Sequence, residues 1–420
     1  MSVVRSEPVG WLVDHQAYIN QLYRCCHHSP PDGHCHRYVF RAEYFKVEKP
    51  YIVNTRTAGQ GSAVNDKSVK GSKRKRKGQE LNQGELEALE YHDKVSLAIQ
   101  NGTQKLVEHL EVEETGSREQ GTALVPADSM LVELCFMAKQ LLEEPQRQVQ
   151  VLTSESGPDL EPLGCLTENS SSCARLVKLM GHQYLLPPRC TFLLSDVSRM
   201  EPLLGYKKYD VITLDPPWEN KSLKRCKGYS HLFPWQIRQL PVPLLSAPGC
   251  LVVCWVTNRQ KHLHFVKEEL YPGWSVEVVA EWHWVKVTQN GEFVVPLDSV
   301  HKKPYEILVL GRYMGSPAQQ GGGPGTRSIT VPDHKLIVSV PCTLHSHKPP
   351  LGEVLKGFIP SNAECLELFA RNLQPGWTSW GNEVLRFQHL GYFQELDPEK
   401  GGENCCCSHA PSPPDPLLPR

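Results

Sequence analysis

The segment Asp215-Pro216-Pro217-Trp218 holds the residues of this chain best suited to chemistry. It follows Val211-Ile212-Thr213-Leu214, a β-branched apolar run that predicts a buried strand. A strand ending in an acid and two prolines puts a stiff polar loop at the carboxyl edge of a sheet, where open α/β sheets bind ligands. The exocyclic amine of adenine is a group such a loop can activate. Its lone pair is delocalised into the ring, so it is a poor nucleophile until acceptors take up both amine hydrogens. Asp215 and a carbonyl fixed by Pro216 and Pro217 offer those acceptors, and proline brings no competing donor. Trp218 offers a face to an extruded base. The plainer reading is a strand and turn with Trp218 in the core.

Other segments carry compatible chemistry. In Glu364-Cys365-Leu366-Glu367-Leu368-Phe369-Ala370-Arg371-Asn372 an apolar strand ends in Glu367, the point at which many adenosylmethionine sites place an acid for the ribose hydroxyls. The glycine-rich form of that loop is absent, and an ordinary strand with an exposed acid competes. Asn382 and Glu383 follow close behind and are within reach of a cofactor. Leu344-His345-Ser346-His347-Lys348-Pro349-Pro350 joins a strand to a helix, and Lys348 suits a carboxylate by charge. Lys221, Lys224, Arg225, Lys227, Tyr229 and His231 interleave cations with an aromatic, which suits phosphates and a stacked base; a solvated loop is the alternative. Lys302, in His301-Lys302-Lys303-Pro304-Tyr305-Glu306, adds to that set. Cys25-Cys26-His27-His28 with His34-Cys35-His36 is metal-like in composition, but its spacing fits no zinc finger and no metal is assigned. The pair His345 and His347 lacks further ligands, and Cys405-Cys406-Cys407 is given no role.

The elements that must position these residues are legible from periodicity. From about residue 186, β-rich runs at 191–194, 210–214, 251–255, 276–284, 305–310 and 335–340 alternate with helical runs at 259–270 and 351–358. That alternation predicts an α/β, mainly parallel sheet over 186–395. Residues 1–55 read as a small ordered N-terminal unit, and 56–80 as a basic flexible linker. A mostly helical middle region spans 81–185, with Gly181 ending a helix through Leu176 and Leu179, and 396–420 is a disordered tail. Lys73-Arg74-Lys75-Arg76-Lys77 reads as a nuclear import signal or a nucleic-acid patch, against a merely solubilising run. With 45 basic and 46 acidic residues, whole-chain charge does not identify a polyanionic partner. No apolar run is long enough for a membrane span, and 15 scattered cysteines fit free thiols in a reducing setting.

Taken together these segments resemble the N6-adenine methyltransferases with an Asp-Pro-Pro-Trp motif, a family that includes the catalytic subunit of the messenger-RNA adenosine methyltransferase. Val252-Val253-Cys254-Trp255-Val256-Thr257, Trp284-Val285-Lys286, His347-Lys348-Pro349 and Leu373-Gln374-Pro375-Gly376-Trp377 are similar to the family's over about residues 190–390. Met1-Ser2-Val3-Val4 and Asn82-Gln83-Gly84-Glu85-Leu86 extend the likeness to one branch across the whole chain. The resemblance implies a Rossmann-like methyltransferase domain with permuted motif order, the Asp-Pro-Pro-Trp loop preceding the cofactor strand. It implies S-adenosyl-L-methionine as cofactor, held by Asp196, Val197, Asp215, Lys348, Glu367, Phe369, Arg371, Asn372, Asn382 and Glu383. By the same likeness Lys348 would take the methionine carboxylate, and Arg371 and Asn372 the ribose. It further implies that Asp215, Pro216 and Pro217 hold the amine, that Trp218 lines the base pocket, and that Tyr229, Trp255, Trp284 and Lys286 lie near the acceptor base. The chain is shorter than the messenger-RNA enzyme between Arg371 and Leu373, and Glu383 stands where that enzyme has Gln, keeping an acceptor but losing a donor. A silent subunit of the family has a degraded motif; the intact motif here implies an active enzyme. The implied substrate is 2′-O-methyladenosine in U2 small nuclear RNA or adenine in DNA, with a catalytically silent nucleic-acid-binding scaffold as the competing class. The implied location is the nucleus, with the cytoplasm also open, and no obligate protein partner or metal is implied.

Overall fold

The computed structural model describes residues 2–28, 34–52, 82–108, 138, 149–152, 164–179, 181–196, 199–219, 232–299, 302–315 and 329–396. The strands in these residues are β1 Val3–Glu7, β2 Gly10–Val13, β3 Cys26–His28, β4 Arg37–Phe40, β5 Val149–Val151, β6 Leu166–Asn169, β7 Ala174–Leu179, β8 His182–Leu186, β9 Cys190–Leu194, β10 Tyr209–Leu214, β11 Ser246–Val256, β12 Val276–Lys286, β13 Tyr305–Tyr313, β14 Leu336–Ser339, β15 Cys365–Leu368, β16 Trp377–Gly381 and β17 Phe393–Leu396. Twelve of them form one sheet in the order β1-β2-β14-β12-β13-β11-β10-β15-β16-β9-β6-β5. The run β11-β10-β15-β16-β9 is parallel throughout, while β13 lies antiparallel between β12 and β11. This is the expected α/β, mainly parallel sheet.

Burial follows from that topology. Val211, Ile212, Thr213 and Leu214 of β10 are all buried, because both faces of the sheet are covered. Ile212, Leu214, Val252, Leu366 and Trp380 join one core layer, and Val211, Val253, Trp255, Cys365 and Trp377 the other. The helix Gln83–Val107 lies against the first layer. It starts at a capping box: the Asn82 side chain accepts from the Glu85 N–H at 3.1 Å and Glu85 accepts from the Asn82 N–H at 3.0 Å. Val95, Ile99, Gly102 and Leu106 then repeat at helical spacing and are buried. Gly102 is the contact point, since a Cβ there would stand 2.5 Å from Leu336 Cδ1 and 2.7 Å from Val9 Cγ2.

Several expectations change. Gly181 ends no helix; it turns the β7–β8 hairpin at φ +81°. Leu176 packs into one cluster with Tyr23 and Phe40, while Val177 and Leu179 pack into another with Phe192. Burial on both faces erased the strand period and left apolar residues at a spacing that mimics a helix. The middle region is helical over Gln83–Val107 and turns to strands from Val149 onward. Residues 109–148 of that region, apart from Ala138, lie outside the described residues, as does the whole of the 56–80 linker. In the N-terminal unit Tyr44 and Phe45 sit in a 3-10 turn, Ala42–Phe45. Strand β2 pairs in parallel with β14, so the N-terminal unit shares the ladder of the large sheet.

Four buried imidazoles and the half-buried His389 set an acid limit on this fold. Burial lowers His15 to about 3, lowers His262, His283 and His389 to about 4 each, and holds His347 well below the usual range. The unfolded chain takes up those protons near pH 6.5 and the folded chain does not. Their contribution to stability is therefore whole above about pH 6.5 and is lost as pH falls toward 4. Melting temperature should decline steeply across that window. A flat profile would mean that the imidazoles protonate in place.

Candidate active site

The register of the parallel strands brings four loops to one edge of the sheet. Thr213 pairs with Glu367, Glu367 with Ser379, and Gly381 with Leu194. Asp215 after β10, Phe369 to Arg371 after β15, Asn382 and Glu383 after β16, and Asp196 after β9 therefore line up side by side. Since β13 runs antiparallel, its first residues, Tyr305 and Glu306, reach the same edge, with Glu306 opposite Trp284. The β14–helix connection adds Lys348. The connection from β10 runs to β11 on one side and that from β15 to β16 on the other. The crevice between Asp215 and Arg371 is thus a topological switch point, the usual ligand position in open α/β sheets.

Charge is concentrated there. Arg371 donates from Nη1 to Asp215 Oδ2 at 2.7 Å and from Nε to Glu383 Oε2 at 3.2 Å. Lys348 Nζ lies 3.6 Å from the same Asp215 oxygen and donates to Glu306 Oε2 at 2.6 Å. Lys286 donates to the other Glu306 oxygen at 2.5 Å. Burial alone would raise the Glu306 carboxyl, but the Lys286 and Lys348 ammoniums hold it well below the usual carboxylate range. Burial works against the Lys348 ammonium too, yet the Asp215 and Glu306 charges leave it raised. Both cations meet Asp215 at Oδ2, and among the described residues no hydrogen bond reaches Oδ1. That oxygen can accept from an incoming N–H.

The Asp215–Trp218 loop is fastened at each end. Asp215 N–H donates to the Leu368 carbonyl at 3.4 Å, Trp218 Nε1–H to the Trp255 carbonyl at 2.9 Å, and Arg259 Nη1 to the Glu219 carbonyl at 3.1 Å. Trp218 is 6% exposed and stacks on His262 with 4.9 Å between centroids at 19°. One indole face is therefore occupied, and the residue locks the loop onto β11 instead of standing open for a base. The neutral His262 imidazole also bonds Thr257 Oγ1 at 2.9 Å. The carbonyls of Pro216 and Pro217 accept from Trp218 N–H at 2.8 Å and Leu232 N–H at 3.2 Å, which leaves each one lone pair for a ligand.

Trp255 and Trp284 meet edge to face at 5.7 Å and are each 3% exposed. Lys348 lies over both rings, and Lys286 lies 4.4 Å above Trp284. A base at this wall would meet the ammoniums before the indoles. In β15, burial raises the Glu367 carboxyl to about 7; the Gln374 hydrogen bond and Arg371 pull it down and Asp215 pushes it up. Gln374 donates to Glu367 at 2.9 Å, while buried Gln374 Oε1 and Ser379 Oγ have no partner among the described residues. A half-buried acid beside two orphaned polar atoms fits a hydroxyl-bearing ligand such as a ribose. Phe369 holds φ +61°, and a Cβ on Gly381 would stand 2.8 Å from the Ala370 carbonyl, so the turn after β15 is tightly set. Asp196, Asn372 and Asn382 are half-buried at the same edge and Lys302 is exposed. Val197, Lys224, Arg225, Lys227 and Tyr229 lie outside the described residues. Glu306 and Gln374, which complete the ionic and polar contacts, carry no sequence signal beyond their place beside Tyr305 and in the turn after β15.

The MT-A70 family model matches residues 209–383, the stretch that supplies most of this edge. The chain is 46% identical to N(6)-adenine-specific methyltransferase METTL4 of Homo sapiens, covering 94% of this chain and 98% of the relative. The chain belongs to the MT-A70 family. It is an adenine N6-methyltransferase. N6-methyladenosine RNA methyltransferase MTA1 of Pyricularia oryzae is 36% identical over 58% of this chain and 65% of its own length. DNA N6-methyl methyltransferase of Caenorhabditis elegans is 35% identical over 50% of this chain and 56% of its own. In the MT-A70 fold seen here, the acid of the Asp-Pro-Pro-Trp loop is half of a buried ion pair, which bears on its mutation. Asp215→Asn should keep the fold and lower turnover by about 10²–10³-fold, because a neutral amide accepts the amine hydrogen less strongly. Asp215→Ala should also cost about 1–3 kcal/mol of stability, because Arg371, at 8% side-chain exposure, loses a partner. Methyl incorporation and melting temperature, measured on both variants, separate the two effects. Normal turnover in Asp215→Asn would exclude Asp215 as the amine acceptor.

Proposed function

We propose that the protein transfers a methyl group from S-adenosyl-L-methionine to N6 of adenosine in RNA, with 2′-O-methyladenosine of U2 small nuclear RNA as its nuclear substrate. The observation that carries this reading is the Asp215 side chain, fixed through Oδ2 by Arg371 and Lys348 at the switch point, with Oδ1 accepting no hydrogen bond among the described residues. Oδ1 accepts one amine hydrogen and a proline carbonyl the other, which turns the nitrogen lone pair out of conjugation. When bound, the cofactor supplies a methyl group activated by its sulfonium. Glu367 would hold the ribose diol, with Ser379 and Gln374 as further polar contacts. Lys348 would hold the methionine carboxylate, since an ammonium has three donors and its described hydrogen bond to Glu306 uses one. The catalytic contribution is mainly orientation and exclusion of water rather than bond-making by the protein. The RNA reading draws on the longer match to the Pyricularia oryzae RNA enzyme; the Caenorhabditis elegans relative favours the second reading, adenine in DNA. Nuclear location rests on Lys73 to Lys77, which lie outside the described residues.

Two experiments test this. Parallel assays on 2′-O-methylated RNA, unmodified RNA and single-stranded DNA should give the highest kcat/KM on the first; a preference for DNA would select the second reading. Calorimetric titration of cofactor against pH tests the donor side. The ionised Glu367 is the stronger acceptor, so affinity should rise as pH rises through about 7 and then level off. Glu367→Gln should flatten that profile and weaken binding by about tenfold. A wild-type affinity independent of pH would remove Glu367 from the ribose.

A further inference from the structure

Away from the active site, four metal-ligating side chains converge from distant parts of the chain. Cys25 precedes β3, His27 lies on it, Cys35 precedes β4 and Cys173 precedes β7. The backbone enforces the approach: β3 pairs with β7, the Ala174 N–H donates to the Cys25 carbonyl at 3.0 Å, and Cys26 bridges to His36. Cys25 Sγ stands 3.1 Å from Cys35 Sγ, 3.5 Å from Cys173 Sγ and 3.9 Å from His27 Nε2. The donor atoms of Cys25, His27 and Cys173 all lie within 4.8 Å of one another; Cys35 stands outside that group and is placed by its contact with Cys25, so it must turn toward the other three to complete a tetrahedron. A disulfide needs about 2.05 Å, so neither sulfur contact of Cys25 is one. Tetrahedral zinc with bonds of about 2.3 Å to sulfur and about 2.0 Å to nitrogen sets its ligands about 3.5–3.8 Å apart, close to these separations.

We propose that Cys25, His27, Cys35 and Cys173 form a structural zinc(II) site, three thiolates and one imidazole. Cys173 is disulfide-bonded in this structure, so the site is that of the reduced protein. A phosphine reductant and water convert that disulfide to two thiols and a phosphine oxide, and zinc then displaces the three ligand thiol protons to solvent. Four protein ligands leave no open position, which makes the ion a clamp and not a catalyst. It would tie the 25–36 segment to the hairpin β7–β8 across more than a hundred residues of intervening chain, where a cross-link removes much conformational freedom. The second His-rich group, His28, His36 and Glu395, fits less well. Its imidazoles stack face to face at 3.5 Å and 11°, which aims their ring nitrogens past a common centre.

The test is metal analysis of the full chain purified under phosphine without chelator. One zinc per chain is expected. Cys25→Ser and Cys35→Ser should each lose it, Cys35→His should retain it, and Cys165→Ser, at a buried cysteine elsewhere, should not alter it. Replacement by cobalt(II) should give tetrahedral d–d bands with thiolate charge transfer. Because the serine variants are open to misfolding, wild-type protein is also titrated with a chelator; the melting temperature should fall by several degrees and return when zinc is restored. Zinc content well below one per chain, or content unchanged in both serine variants, would overturn the site, as would full insensitivity to chelation.

Discussion

The pairing of a carboxylate withdrawn from water with a fixed cation is the constraint on which this structure depends. Asp215 is held at the sheet edge with only 13% of its side chain exposed. A carboxylate so placed needs a countercharge and hydrogen bonds in place of the water it loses. The Arg371 guanidinium, 2.7 Å away, supplies both, and being planar and always charged it holds direction as well as sign. Arg371 is buried in turn and needs a second anion, which Glu383 provides at 3.2 Å. Lys348 needs Glu306, and Glu306 needs Lys286. Each charge brings the next into the site. Removing one member leaves another uncompensated, so the members act as a unit whose deletions are not additive.

That chain of dependence explains the local fold. Glu306 can answer Lys348 only because β13 is antiparallel to its neighbours and begins at the edge where β10 and β11 end. Glu383 can answer Arg371 only because β16 lies beside β15 in register, with Leu368 opposite Trp380. Gly381 permits this approach, since any side chain there would run into the Ala370 carbonyl. The Asp-Pro-Pro-Trp loop is stiff for a related reason: Trp218 is committed to β11 and His262, so Asp215 cannot swing away from the cations to meet solvent.

How much of this was legible beforehand depends on whether the signal is local. The strand before Asp215 and the strand that carries Glu367 are local patterns, and each stands where its pattern predicts. The hairpin around Gly181 was not legible, because Leu176 and Val177 are buried on opposite faces and their alternation vanished. Nor was the packing of Trp218. An exposed stacking platform and a core indole have the same sequence, and only the acceptor at the Trp255 carbonyl separates them. The Cys25 cluster shows the same limit at longer range, since Cys173 is far along the chain and the two meet only through the β3–β7 ladder.

The permuted order of the motifs becomes simple once the strands are laid out in space. Along the chain Asp215 comes long before Glu367 and Arg371; in the sheet the strands that carry them to the edge, β10 and β15, are neighbours. A switch point requires only that the connections leave adjacent strands in opposite directions, and it is indifferent to which strand is made first. What cannot be permuted is the pairing across the crevice. Asp215 on one strand end and Arg371 on the other must face each other, so the loops after β10 and β15 remain a single electrostatic object whatever the order of synthesis. A substitution that shifts β15 against β10 by one residue would move Arg371 out of reach and turn its neighbours to the opposite face. Register between these two strands, more than any single side chain, therefore sets the geometry of the crevice.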